Sequence, residues 1–201
     1  RTYMAVSIDE IKRLKDLTGI GLTDAKAALV EADGDFDKAL EALRKKGLTK
    51  AEKKGEREAR EGLVDAYVHS GRIGALVEVN CETDFVARTD GFKEFVRDIA
   101  MHVAASAPEY VSADEIPAEE RDRVKAEFSE KAKNDGKPEN MLENIVEGML
   151  KKHFAEKCLL DQPYIKNPDQ TVGEYLKENI TKFGENTVIR QFKRIELGEI
   201  S

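Results

Sequence analysis

One stretch near residue 80 constrains the fold more than any other, because a strand pattern changes there abruptly into a helix pattern. From Ile73 to Cys81 every odd-numbered residue is apolar, which indicates a strand with one buried face. From residue 91 to 106 the apolar residues recur at spacings of three and four, as on one face of a helix: Phe92, Phe95, Val96, Ile99 and Val103. The sequence therefore predicts a strand whose apolar face is covered by a helix, and hence an α+β fold.

The connection between this strand and this helix carries Thr83, Asp84, Phe85 and Val86. Two interpretations of Phe85 stay open on the residues alone. In one, the ring folds into the core while Asp84 caps a helical turn; in the other, both side chains are displayed for binding. Phe92 and Phe95 already cover the sheet, and binding residues tend to gather on connections held by a rigid scaffold.

The first 47 residues are typical of a compact three-helix module. Ser7 and Glu10 have the spacing of a capping box, and Thr23 and Asp35 are expected to cap the second and third helices. Gly47 is expected to end the third helix. Because its core is small, we expect this module to be only marginally stable alone.

The rest of the chain mixes strands and helices. The patterns predict a hairpin, three further helices and two further strands: Leu63–His69 with Ile73–Cys81, then 117–133, 140–157, Cys158–Ile165, Val172–Phe183 and Thr187–Leu197. The predicted domains are the three-helix module, a charged helical linker, a core subdomain with antiparallel strands packed against helices, and an abbreviated second subdomain: 4–47, 48–61, 62–157 and 158–201.

Charge and composition exclude several classes of function. The chain has 33 basic and 40 acidic residues, and its net charge of −7 argues against non-specific nucleic-acid binding. The basic cluster between residues 44 and 60 is interleaved with glutamates, which favours a solvated helix surface over an RNA contact. The absence of a long apolar run or a signal-peptide pattern predicts a cytoplasmic protein with no membrane partner.

The sequence offers no set of catalytic residues, so we expect a protein that is not an enzyme. His69, His102 and His153 lack metal-binding spacing, and the last two are interpreted as structural. Cys81 and Cys158 are interpreted as small core residues. The Gly-rich motifs that bind nucleotide phosphates are missing, so we expect no bound nucleotide. We also expect no metal and no other cofactor.

Four sequence runs together resemble the bacterial translation elongation factor Ts family from Met4 to the end of the chain. They are 18–29 (TGIGLTDAKAAL), 32–35 (ADGD), 78–88 (EVNCETDFVAR) and 184–186 (GEN). The resemblance implies a guanine-nucleotide exchange factor for elongation factor Tu in translation elongation.

The resemblance also implies roles for particular residues. The first module would be a ubiquitin-associated-like domain that docks on the GTPase domain of elongation factor Tu, with Lys26 as a contact. Thr83, Asp84, Phe85 and Val86 would insert beside the partner's magnesium ion and disturb it, so that GDP leaves and GTP can bind. Short relatives imply a homodimer, or a two-plus-two complex with elongation factor Tu, formed through residues 158–201.

Two alternatives of other classes remain open. The three-helix module is also compatible with a ubiquitin-associated-like binding protein that leaves nucleotides unaffected, which would be favoured if residues 4–60 alone bound the target fully. An RNA-binding role through residues 44–60 would show a steep loss of affinity with salt.

Overall fold

A computed structural model describes residues 6–18, 20–43, 45, 55 and 57–199 and shows an α+β protein. The first helices are α1 (Ile8–Thr18), α2 (Leu22–Glu31) and α3 (36–43). The remaining elements are, in chain order, β1 (Glu61–His69), β2 (Ile73–Cys81), α4 (Asp84–Ala87), α5 (Asp90–Ser106), α6 (Ala118–Asn134), α7 (Leu142–Lys157), β3 (Pro163–Tyr164), β4 (Asn167–Thr171), α8 (Val172–Phe183) and β5 (Val188–Glu196). Short 3-10 helices lie at Ala113–Glu115, Glu139–Met141 and Leu159–Asp161.

Helices α1 to α3 share a small apolar core, as the sequence predicts: Ile11, Leu14, Ala25, Ala28, Leu29, Ala39 and Leu43. The capping box is present, because the Glu10 N–H donates to Ser7 Oγ at 3.1 Å and the Ser7 N–H donates to Glu10 Oε2 at 3.4 Å. Asp35 caps α3 by accepting the Lys38 N–H at 3.1 Å.

The prediction that Thr23 caps α2 is wrong. Helix α2 begins at Leu22, two residues earlier than a Thr23 cap implies, so Thr23 lies inside its first turn and Gly21 occupies the capping position without a side-chain bond. Gly47 lies outside the described residues, as does most of the predicted linker 48–61.

The described chain divides into two compact units that interleave along the sequence. One contains the described residues up to Leu63 together with Val79–Phe95 and Glu174–Val188. The other contains Val64–Glu78, Val96–Gly173 and the described residues from Ile189 onward. The boundaries 62–157 and 158–201 stay predictions.

A three-stranded sheet has the strand order β1-β2-β5. The connection from β1 to β2 is a tight turn in which Ser70 (φ 51°) and Gly71 (φ 65°) both have positive φ, and the Arg72 N–H donates to the His69 carbonyl at 2.9 Å. Positive φ at both central residues matches the type I′ turn that suits hairpins. The predicted hairpin is confirmed, with β1 beginning two residues earlier than expected.

The helix that was predicted to cover the sheet is α5. The five apolar residues on which the prediction rested are almost fully buried: Phe92, Phe95, Val96, Ile99 and Val103. The odd-numbered residues of β2 from Ala75 onward are buried as well. Helix α8, predicted at its observed bounds, packs Phe183 against Phe92 and Phe95, with ring centroids 5.4 and 6.0 Å apart.

The prediction of a strand from Cys158 to Ile165 is wrong for most of its length. Leu159–Asp161 forms a 3-10 helix, and only Pro163–Tyr164 pairs, antiparallel, with β4. The Leu159 and Leu160 N–H groups donate to the carbonyls of Tyr110 and Val111 at 2.8 and 3.1 Å, which holds the chain in a turn. A short apolar run does not distinguish such a turn from a buried strand.

Candidate partner-binding site

The predicted site lies where β2 ends and α4 begins. Thr83 is the N-cap of α4, and Asp84, Phe85 and Val86 are its first three residues. The Phe85 side chain is 81% exposed, whereas Ala87 on the same helix is buried. Of the two interpretations left open by the sequence, the structure agrees with the one in which the ring points outward.

Glu185, far away in sequence, holds the residues that precede Phe85. Its Oε2 accepts the backbone N–H groups of Glu82 and Thr83 at 3.1 and 3.0 Å, and its Oε1 accepts the Thr83 hydroxyl at 2.6 Å. Hydrogen bonds to an ionised carboxylate are shorter and stronger than neutral ones. One half-buried side chain therefore fixes two consecutive residues at the start of α4.

A second set of polar contacts returns from Glu82 to the residue after Glu185. Glu82 Oε1 accepts the Asn186 N–H at 2.6 Å and lies 3.7 Å from the Arg57 guanidinium. The side chain of Asn186 is buried, and its amide nitrogen donates to the Arg57 carbonyl at 2.6 Å. The loop before α4 and the connection from α8 to β5 are thus bonded in both directions.

Cys81 secures the same loop from the core side. Its buried thiol donates to the Thr83 carbonyl at 3.1 Å. Burial, with a smaller contribution from Glu185, raises the pKa of the Cys81 thiol to about 11. Cys158 is also buried, and burial raises its pKa to about 11, so the interpretation of both cysteines as core residues is confirmed.

Asp84 remains accessible beside the exposed ring. Its carboxylate pairs with Arg88 across one turn of α4 at 2.9 Å, and both side chains are exposed. Exposed ion pairs of this kind contribute little to stability, so the carboxylate can exchange Arg88 for another partner at small cost.

Lys26 lies on a different element from the Asp84–Phe85 pair. It is exposed on α2, whereas Ala25, Ala28 and Leu29 of the same helix are buried in the core shared with α1 and α3. A lysine on the solvent-facing side of a small helical module is accessible to a protein partner.

Comparison with known proteins gives one consistent result. A family model described as Elongation factor TS matches residues 35–199. A protein named Elongation factor Ts from Geobacter sulfurreducens is 51% identical over 197 residues, which cover 98% of this chain and 91% of the relative. A protein of the same name from Carboxydothermus hydrogenoformans is 56% identical over 190 residues, which cover 94% of this chain and 88% of the relative. The chain belongs to the elongation factor Ts family. A third relative of that name, from Thermoanaerobacter sp. strain X514, is 52% identical over 195 residues and 96% of each chain.

Membership of the elongation factor Ts family makes this protein a translation elongation factor, so its part in protein biosynthesis no longer depends on the resemblance of a few runs. The contacts made by Glu185 and Asn186 were not predicted. The sequence presented them only as part of the run 184–186, a polar pair after the glycine that ends α8. Gly184 has φ 75°, as expected of a residue that terminates a helix.

His102, the histidine in α5 that was expected to be structural, is fully buried, and both of its ring nitrogens are hydrogen-bonded. His102 Nε2 lies 2.9 Å from Gln162 Oε1, and the Ile165 N–H donates to His102 Nδ1 at 3.3 Å. The Gln162 amide nitrogen donates to backbone carbonyls, so its oxygen must accept from His102. The ring is therefore neutral with its proton on Nε2, and burial lowers its pKa.

The described residues offer few features for a small ligand. Among them, there is no group of three or more His, Cys, Asp or Glu side chains placed to hold a metal ion. A cleft of about 750 Å³ lies along α6 and α7, over Ile116, Leu150 and Phe154, and contains none of the predicted site residues. Throughout the residues that the structure describes, every helix is too short or too polar to cross a membrane.

Proposed function

We propose that this protein is a guanine-nucleotide exchange factor for elongation factor Tu and has no catalytic residues of its own. It binds the GDP-bound partner, disturbs the magnesium site and promotes GDP release, so that GTP can bind. The observation that carries this proposal is the exposed Phe85 ring on an anchored α4, inside the family's most distinctive run. Since the family acts in translation elongation, we place the protein in the cytoplasm and invoke no direct nucleic-acid, membrane or cofactor partner.

The proposed mechanism is a coupling between two binding sites on elongation factor Tu. Phe85 enters a gap beside the magnesium ion, and Asp84 competes for polar groups around it, with Thr83 and Val86 against the same surface. Because coupling is reciprocal, GDP must weaken the binding of this protein by the same factor by which this protein weakens the binding of GDP.

The size of the effect requires more than one contact. A thousandfold loss of GDP affinity needs roughly 4 kcal/mol of coupling, at about 1.4 kcal/mol for each factor of ten. Burying one phenylalanine contributes about 1.5–3 kcal/mol. Other surfaces must therefore hold the partner, and the Lys26 side of α2 is the first of them. We propose that helices α1 to α3 form a ubiquitin-associated-like domain that docks there.

The test is the release of fluorescent GDP from elongation factor Tu. We expect Phe85→Ala to slow catalysed release by about 10- to 150-fold, the equivalent of the burial free energy of one ring. Met141→Ala removes another exposed apolar side chain, from the connection between α6 and α7, and should leave release unchanged. Added magnesium should slow the GDP release that this protein catalyses. Equal release with Phe85→Ala and with the unmodified chain would refute the insertion of the ring.

We also propose that the protein forms a homodimer, within a two-plus-two complex with elongation factor Tu. The sheet displays apolar side chains that are between 50% and 74% exposed: Val64, Val68, Leu76 and Ile195. Ile195 lies in the segment 158–201, for which dimerisation was predicted, and Leu76 stands between the buried Ala75 and Val77.

These four side chains lie on the same face of the sheet. On β1, Asp65 points toward α5, where its carboxylate is 3.9 Å from the Arg97 guanidinium, so the even-numbered residues point away. On β5, the Arg194 guanidinium donates to the Ala104 carbonyl of α5 at 3.1 Å, so the odd-numbered residues point away. An apolar sheet face opposite the covering helix supports burial against a second copy.

Light scattering at micromolar concentration tests the dimer. We expect the unmodified chain to have twice the monomer mass and Leu76→Lys to have the monomer mass, because a charge at the centre of an apolar interface is costly. Met141→Lys, which places the same charge away from the sheet, should stay dimeric. A monomer mass for the unmodified chain would end the dimer proposal without affecting the exchange proposal.

A further inference from the structure

We infer that Glu185 is a positioning residue for Phe85, holding α4 in the orientation in which the exposed ring meets the partner. The inference rests on the proposed function for its biological meaning, although the positioning itself can be measured in the free protein. It stands on the three hydrogen bonds that the Glu185 carboxylate accepts from Glu82 and Thr83.

The Phe85 ring has little packing of its own to orient it. It is 81% exposed, so its direction follows from the backbone of a helix only four residues long. Such a short helix is not stable by itself, because the first turn fixes several dihedral angles for one hydrogen bond. Contacts outside α4 must therefore hold it.

Thr83 transmits the position of Glu185 to this helix. Its hydroxyl donates to Glu185 Oε1 and accepts the Val86 N–H at 3.4 Å. Its carbonyl accepts the Ala87 N–H at 3.3 Å, closing the turn that contains Phe85. A shift of the Thr83 backbone therefore moves both groups that hydrogen-bond to α4, the Thr83 hydroxyl and the Thr83 carbonyl.

Glu185 is itself held on both sides. Before it, Gly184 ends α8, and its N–H donates to the Ile180 carbonyl at 3.0 Å. After it, the buried Asn186 donates its N–H to Glu82 at 2.6 Å. The carboxylate is thus fixed between a helix end and the start of β5, which gives it the rigidity that a positioning residue requires.

The substituents at position 185 should form a graded series. Glu185→Ala removes every acceptor and leaves the N–H groups of Glu82 and Thr83 to water. Glu185→Gln keeps an oxygen for these two N–H groups, and its amide can donate to the Thr83 hydroxyl, but these neutral bonds are about half as strong as the charged ones. We therefore expect a large effect for alanine and partial rescue by glutamine.

The first experiment measures positioning in the free protein. The chain contains no tryptophan, so Phe85→Trp introduces a single fluorescent reporter at the site. In this background, Glu185→Ala should increase the amplitude of the fast phase of the fluorescence anisotropy decay, and Glu185→Gln should increase it less. Glu130→Ala, at an exposed glutamate on α6, is the matched control and should change nothing. An unchanged decay with Glu185→Ala would overturn the inference.

The second experiment is a double-mutant cycle on GDP release from elongation factor Tu. If Glu185→Ala lowers the correctly oriented population to about one tenth, release at subsaturating protein slows about tenfold. A residue that acts through Phe85 should add little further loss in the Phe85→Ala background, because the two effects share one cause. The same tenfold loss in both backgrounds would show that Glu185 acts independently of the ring, and would overturn the inference.

The two proposals fail in different ways. If the unmodified chain does not accelerate GDP release, or Phe85→Ala does not slow it, the proposed function fails while the anisotropy result still decides whether Glu185 orients the residue at position 85. Thermal unfolding of each variant accompanies both experiments. Should Glu185→Ala be partly unfolded, Glu185→Gln carries the same comparisons with a smaller expected effect of about threefold.

Discussion

Gly62 is the position at which the smallest change should disturb the sheet most. It lies in β1 with φ +146°, a conformation that residues with a Cβ rarely adopt. A Cβ added there would lie 2.7 Å from the Asn80 Cα and still closer to the Val79 carbonyl oxygen. Both obstacles are backbone atoms of β2, so no side-chain rotation relieves the contact.

The expected cost of Gly62→Ala is the sum of two contributions. A strained backbone conformation costs about 1–3 kcal/mol and an overpacked contact costs about 1–3 kcal/mol more, giving a loss of about 2–6 kcal/mol in the free energy of unfolding. This is a large fraction of the roughly 5–15 kcal/mol that stabilises a typical domain. We also expect slower GDP release, because Asn80, whose amide donates to the Glu61 carbonyl at 3.2 Å, lies just before the loop that carries Phe85.

The assay is urea unfolding followed by circular dichroism. With a slope of about 1–3 kcal/mol per M, the midpoint for Gly62→Ala should fall by roughly 0.7 M or more. Gly74→Ala is the control on β2, where an added Cβ meets nothing within 4 Å. Because glycine weakens a strand interior by about 0.5–1 kcal/mol relative to alanine, that variant should be slightly more stable than the unmodified chain. Equal midpoints for Gly62→Ala and the unmodified chain would refute the reasoning.

Three further predictions follow from the buried groups and the exposed module. The free energy of unfolding should decrease between about pH 7.5 and about pH 5.5, because burial lowers the pKa of His102 and the unfolded chain binds a proton that the folded ring does not; a pH slope as steep in His102→Gln would contradict this. Cys81 and Cys158 should resist a disulfide reagent at mildly alkaline pH until urea unfolds the chain, because burial raises both pKa values to about 11; labelling of the native protein within minutes would contradict it. Lys26→Ala should raise the concentration needed for half-maximal GDP release and leave the maximal rate unchanged, whereas Lys12→Ala on α1 should alter neither, and a loss of maximal rate for Lys26→Ala would count against simple docking.

The elements that the sequence predicted well are those whose burial is periodic and local. Helix α5 and strand β2 were found because each buries one face along its own length, and the apolar residues repeat with the period of that element. Helix α8 was found at its observed bounds for the same reason. Asp35 and the Ser7–Glu10 pair were found because capping depends on neighbours three residues apart.

The elements that were missed depend on contacts between distant residues. Strand β1 begins before Gly62, and Gly62 fits closely against the backbone of Val79 and Asn80. The alternation of apolar and polar residues near Gly62 does not indicate this contact. The turn at Leu159–Asp161 replaces the predicted strand because Tyr110 and Val111 supply its acceptors. The anchor of the candidate site is the extreme case, since Glu185 and Thr83 are 102 residues apart. A sequence identifies the displayed residues of such a site more readily than the residues that support them.

The hydrogen bonds around Phe85 have a consequence for binding that its exposure alone does not explain. A ring on a loose loop would require the backbone to become ordered on binding, at a cost of about 1–2 kcal/mol for each residue that is fixed. That loss would cancel much of the roughly 1.5–3 kcal/mol gained by burying one phenylalanine. In this protein Thr83 is already tied to Glu185, Cys81 and Val86, so the backbone of α4 is ordered before the partner arrives. Only the two side-chain torsions of Phe85 remain to be fixed, and most of the burial free energy is left to weaken the partner's hold on magnesium and GDP.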